Sequence, residues 1–192
     1  MAERRDPGGT GGTAARAAAA RAAAVAELLR VESANLLELY RKRERLTADV
    51  IAGDGRLVSV APPSARPDAA DKLRRLHAAL LRCRGLMESA VAKEDEEMGG
   101  GTGEYETLRK TVKERLSSLV NVAGELVKAA GGPAAPTPTS SDSSEPDDPS
   151  VFELKLWVFR VYAEVDFWAK TAVATFRALR NARSRSARSS RR

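Results

Sequence analysis

The chain has 192 residues, 43% of them hydrophobic, and a formal net charge of +6. That length supports one domain with a core of its own, without disulfide or metal staples. The lone cysteine, Cys83, excludes an internal disulfide and suits synthesis in a reducing compartment. Aromatic residues make up only 5% while Ala, Leu, Arg and Glu abound, which favours an all-helical fold. The arginines after Asn181, five in number, carry most of the excess charge; the rest of the chain stands at +1, so the basic character says little about what the folded part binds. No apolar run is long enough to span a membrane. The N-terminus has Arg4 and Arg5, but Pro-Gly-Gly-Thr and an alanine run broken by Arg16 and Arg21 follow them, so no secretory signal is expected.

Residues 1–13 are Gly-rich and expected to be disordered. A first helix is predicted over about 14–46. Its residues are strong helix formers, and Val25, Leu28, Leu29, Leu36 and Leu39 fall close to one stripe that Glu32 and Arg43 interrupt. Glycines and prolines between about Thr47 and Pro67 exclude regular helix there. A second helix is predicted over about 68–97, capped by Asp68, with Leu73, Leu76, Leu80, Cys83, Met87 and Val91 on its stripe. The acidic run Glu94, Asp95, Glu96 and Glu97 that closes it reads as a solvated face.

Glycines 99, 100, 101 and 103 break the chain. A third helix is predicted over about 104–130, with Tyr105, Leu108, Val112, Leu119, Ala123 and Leu126 on its stripe and Gly131 and Gly132 at its end. Residues 131–149, rich in Pro, Ser, Thr and acid, form a flexible loop. The fourth helix, predicted over about 150–181, holds both tryptophans and every phenylalanine. Leu154, Val158, Val161, Val165, Trp168, Ala172 and Leu179 form its stripe, with Val161, Val165 and Trp168 assigned to the core and Trp157 a further candidate. Residues 182–192 are a basic Arg/Ser tail.

Loop lengths select the topology. Helices of about thirty residues are roughly 45 Å long, so joining parallel neighbours takes at least about thirteen extended residues. The first and third connections are long enough and the glycine-rich second is not. Long, short, long is the pattern of an up-up-down-down long-chain four-helix bundle with two crossover loops, the alternative being an antiparallel bundle with needlessly long loops.

The start of the fourth helix, Phe152-Glu153-Leu154-Lys155-Leu156-Trp157, with Trp168 and Arg177 at matching spacing, resembles the ciliary neurotrophic factor family, within the interleukin-6 class of long-chain helical cytokines. The resemblance is specific over the fourth helix and topological over the other three. The alanine-rich N-terminal part, the Ser/Arg tail and the Pro/Ser/Thr loop depart from it and mark a divergent homologue.

The resemblance implies a monomeric neurotrophic growth factor that binds the ectodomains of cytokine receptors: a ciliary neurotrophic factor receptor α, the leukaemia inhibitory factor receptor and the shared signal-transducing chain. Bridging them would activate JAK-STAT signalling and neuronal survival. It also implies a cytoplasmic protein released by a non-classical route. Phe152 and Lys155 correspond to the family's contact with the leukaemia inhibitory factor receptor, and Arg177 to an α-receptor contact. The outer faces of the first and third helices would meet the transducing chain, through a polar surface including Arg30, Ala34, Arg41, Lys110, Glu114, Asn121 and Glu125. Read from the residues alone, Phe152 is a staple for the incoming loop before it is a contact, while Arg177 serves equally as a cation at a helix C-terminus.

Enzymatic chemistry finds no support. Cys83 lies on an apolar stripe, and His77 is the sole histidine, so no nucleophile–base pair or zinc set can be assembled. No cofactor, metal or small-molecule substrate is expected. The rival reading is an intracellular helical bundle whose Arg/Ser tail binds nucleic acid or heparin.

Overall fold

The computed structural model describes residues 10–47, 56–60, 68–131 and 150–189, with side chains for 16–47, 56–60, 68–131 and 150–181. Within them the chain is all-helical: α1 Thr10–Arg43, α2 Ala69–Glu97, α3 Gly103–Ala129 and α4 Val151–Ser189. Residues 1–9, most of the α1–α2 connection and the linker 132–149 lie outside the described residues, and so do the expectations that fall on them.

The helix ends follow from local chemistry. Asp68 accepts the Asp71 N–H at 2.6 Å and caps α2. Ser150 and Glu153 form a reciprocal capping box at α4: the Ser150 N–H donates to Glu153 at 2.9 Å, and the Glu153 N–H donates to Ser150 Oγ at 3.3 Å. Gly100, at φ +69°, closes α2 by donating to the Glu94 carbonyl, and Gly131, at φ +71°, follows α3. Two boundaries differ from expectation. α1 begins at Thr10, within the segment read as disordered, and α4 continues to Ser189 rather than ending near 181. After Ser150 the described chain meets no Gly or Pro, and arginines near a helix C-terminus favour its dipole, so nothing stops α4 there.

The helices pack so that α1 and α2 each contact α3 and α4, while α1–α2 and α3–α4 lie across the diagonals. Arg43, at the end of α1, pairs with Glu94, at the end of α2, and Glu94 accepts from Tyr105 near the start of α3. Lys155, near the start of α4, pairs with Glu44. At the opposite end Ala19, Leu73, Leu126 and Leu179 line one small apolar cavity. Both first helices therefore run one way and both last helices the other. This is the up-up-down-down bundle.

The stripes of α2, α3 and α4 supply the core, in which Leu76, Leu80, Cys83, Leu116, Leu119, Leu154, Val161, Val165 and Phe176 are buried. α4 buries more of its circumference than one stripe, adding Trp157, Phe159, Tyr162, Ala169 and Val173. A short strap, Arg56–Val60, also packs on the bundle: its Leu57 and Val58 are buried and its Ser59 carbonyl accepts from Arg82 of α2. Arg56 reaches α4, with its guanidinium carbon 3.0 Å from the Phe167 ring centroid. α1 departs from its expected stripe: Leu28 is 49% exposed, and its place in the core is taken by Ala22, Ala26, Leu29, Ser33, Leu36 and Tyr40.

Candidate functional site

At the end where α4 begins, the cap formed by Ser150 and Glu153 fixes the first turn, and Val151 and Phe152 are left projecting, 55% and 56% exposed. In the same turn Leu154 is buried. Three residues beyond Phe152, on the same side of the helix, Lys155 places its ammonium 2.7 Å from Glu44, whose side chain is 8% exposed. Arg43 approaches the same carboxylate at 3.3 Å. The Tyr40 hydroxyl donates to the Lys155 carbonyl at 3.2 Å. Lys155 is thus held at its backbone by Tyr40 of α1 and at its side chain by Glu44 just past the end of that helix, while Phe152 is more than half exposed.

Behind this surface lies a polar cluster that corrects the sequence reading of Glu94 as solvated: the residue is fully buried. Its carboxylate accepts from Tyr105 at 2.7 Å, Tyr162 at 3.0 Å, Arg43 at 2.9 Å and Arg109 at 3.2 Å, so all four helices meet on one side chain. Arg109, also buried, reaches Asp95 at 2.6 Å. Burial works against its charge, but the hydrogen bond to Asp95 and the charge on Glu94 outweigh it and raise its pKa. Burial first, then the charge on Glu94, pushes the phenols of Tyr40 and Tyr162 up; Tyr105 rises through burial, Tyr162 and Glu94 together. These hydroxyls stay protonated donors. The missed signal was periodicity, since Glu94 stands seven residues beyond Met87 on the α2 stripe.

Glu32 and Arg43, the flaws in the α1 stripe, are likewise cross-helix partners: Glu32 binds Arg115 of α3 in a bidentate pair at 2.6 and 2.7 Å. Arg177 is exposed near the other end of α4 and lies 3.3 Å from Glu27, which also holds Arg30 at 2.9 Å. Arg30 is therefore paired within α1, through the carboxylate that also meets Arg177 of α4. Lys110, Glu114 and Asn121 line a shallow groove on the outer side of α3. On the outer side of α1 the structure adds two apolar residues, Leu28 and Val31, the latter 44% exposed. They lie in helical register with Asn35 and Glu38, which line the α1–α3 groove with Thr107 and Thr111.

Val161, Val165 and Trp168 are buried, and the Trp168 indole N–H donates to Glu164 at 2.8 Å. Cys83 is fully buried, and burial raises its thiol pKa, so it presents no thiolate. Among the described residues no group of His, Cys, Asp and Glu is arranged to hold a metal ion, and no helix is long and apolar enough to cross a membrane.

Compared with known families, residues 11–192 match the model described as ciliary neurotrophic factor. No curated protein and no solved structure matches the chain at significance.

Proposed function

This chain belongs to the ciliary neurotrophic factor family of non-enzymatic helical cytokines, and on that footing we propose that it signals by bridging receptor chains through separate surfaces of the bundle. The start of α4 is the contact for a leukaemia inhibitory factor receptor-type chain, with Phe152 as the apolar anchor and Lys155 as the cation beside it. The far end of α4, including Arg177, with the α1–α2 connection, meets an α receptor. The outer faces of α1 and α3 meet the shared transducing chain, with Leu28 and Val31 supplying apolar area that the polar residues there do not. The monomer acts outside the cell after non-classical release, and JAK-STAT activation follows from holding the receptors together.

The observation that carries this reading is Phe152. An aromatic ring more than half exposed beside a fixed cation has the composition of an interface hot spot. Phe152→Ala with Lys155→Ala should cost at least about 2 kcal/mol, or some thirtyfold, in that one affinity. Signalling should fail while helicity and binding to the other receptors persist, so the variant should antagonise the wild type. Because Lys155 neutralises Glu44, the single Phe152→Ala variant serves as the control free of electrostatic side effects. Full signalling by the double variant, or loss explained by unfolding, would refute the assignment.

A further inference from the structure

We propose that the end of the bundle formed by the N-terminal half of α1 and the C-terminal part of α4 is a binding surface for a sulfated glycosaminoglycan. The observation is the length of α4. Its backbone stays helical to Ser189, so Arg177, Arg180, Arg183, Arg185 and Arg188 are mounted on a rod about 17 Å long rather than on a flexible tail. Beside this rod runs α1, which between Thr10 and Ala26 contains Arg16 and Arg21 and no acid. The contact of Arg177 with Glu27 fixes the antiparallel register. At equal rise per residue it sets Arg21 level with Arg183 and Arg16 level with Arg188. Arg16, Arg21, Arg177 and Arg180 are exposed.

Among the described residues, the acids of this end have partners. Glu27 holds Arg30 and Arg177, Asp71 lies 3.7 Å from Arg74, Glu125 lies 3.0 Å from Lys128, and Asp68 caps α2. Exposed Arg16, Arg21, Arg177 and Arg180, with three further arginines carried on the helical backbone of α4, concentrate positive charge here, which attracts a polyanion and gives binding that falls steeply with salt.

The residues also say which polyanion. Single-stranded nucleic acid is held by stacking its bases on exposed aromatic rings. This end has none, for Phe176 is the last aromatic of the chain and is fully buried, and no aromatic precedes Tyr40. An interfacial helix anchors itself in a membrane through large apolar side chains, yet beyond Leu179 the only apolar residues are Ala182 and Ala187. A ligand that offers charge without rings or acyl chains, through sulfates that arginine forks grip well, fits what is left. The choice of an extracellular polyanion rests on the cytokine reading above; the charge argument does not.

The test titrates a heparin dodecasaccharide against the full chain and against a variant carrying Arg183→Gln, Arg185→Gln and Arg188→Gln, which keeps good helix formers in α4. The wild type should bind at about 0.15 M salt. The variant should bind about tenfold more weakly or worse, with a log–log salt slope shallower by about two, while keeping its helicity and its affinity for the leukaemia inhibitory factor receptor-type chain, whose contact lies at the opposite end of the bundle. Phe152→Ala with Lys155→Ala should bind heparin as the wild type does, so failure of the receptor assignment and failure of this one are read separately. No heparin binding at that salt, unchanged binding by the arginine variant, or tighter binding to single-stranded RNA or to phosphatidylserine vesicles would each overturn the proposal.

Discussion

Replacing Glu94 tests whether one buried carboxylate ties the four helices together. In Glu94→Leu, the Arg109 guanidinium, whose side chain is 3% exposed, loses one of the anions that hold it, and Arg43 loses its inter-helix partner. Breaking a buried pair from one side typically costs about 3–5 kcal/mol. Asp95 and Glu106 remain on Arg109, and the Tyr105 and Tyr162 hydroxyls, 2.9 Å apart, can still pair with each other, so the low end, about 3 kcal/mol, is the fitting figure. For a chain of this size that lowers Tm by roughly 6–12 °C, measured by circular dichroism on heating. Glu94→Gln, which keeps an acceptor but loses the charge, should fall between. Adding Arg109→Leu to Glu94→Leu removes the stranded cation and should recover part of the loss, because an apolar pair often replaces a buried ion pair at little cost. A single variant that melts within about 2 °C of the wild type would show that the cluster does not hold the bundle end together.

Two further outcomes follow from particular side chains. The pKa of His77 is depressed, chiefly by burial and then by Arg84 and Lys128, and its Nδ1 is buried without a hydrogen-bond partner. The unfolded chain therefore binds the proton more readily: stability is full above about pH 6.5 and is lost as pH falls toward the folded pKa. His77→Gln should flatten the slope of Tm against pH between about 6.5 and 5, and an unchanged slope would contradict the assignment. Leu28→Ser with Val31→Ser should leave Tm nearly unchanged, since both side chains are about half exposed, yet weaken binding to the shared transducing chain severalfold by surface plasmon resonance; equal binding would exclude them from that face.

Most of the fold was legible because the apolar stripes and the glycine and proline breaks each have a direct physical meaning. That α1 and α2 run parallel followed from loop length alone, whereas their placement across a diagonal came only from the packing. What escaped was carried by polar residues on apolar stripes. Glu32, Arg43 and Glu94 all stand at core-facing or core-edge positions, and a charge there reads either as a flaw or as a solvated end until its partner is known. The partners, Arg115 and Arg109, lie on another helix, beyond the reach of any local pattern. The exposure of Leu28 was hidden for a related reason: α1 meets its neighbours largely through alanines, so a neighbouring leucine on the sequence stripe can be turned outward without leaving a hole. Phe152 and Lys155 were readable as a pair, but the hold of Glu44 on Lys155 was not, since Glu44 lies just past the end of α1.

The two ends of the bundle differ in a way that bears on how a receptor would meet them. Where α1 and α2 end and α3 and α4 begin, Tyr40 stacks edge-on against Tyr162 at 5.2 Å, Arg43 lies 4.7 Å from the Tyr105 ring, and Glu94 joins the set from within. Large rings and satisfied charges leave few alternative packings there. Lys155 enters that set through Glu44, so its ammonium is already placed, and a receptor carboxylate meeting it need not order a long flexible side chain, a cost of about 0.5–1.5 kcal/mol. It must instead compete with Glu44, which discriminates against partners that offer no anion at that point. At the opposite end α1 buries only alanines, Ala19, Ala22, Ala23 and Ala26, and a small cavity remains between Ala19, Leu73, Leu126 and Leu179, so packing there specifies a single arrangement less tightly. The surface charge of that end can hold a repeating anion without shape complementarity, whereas a contact that depends on one ring and one ammonium needs the rigid end, where Phe152 and Lys155 stand.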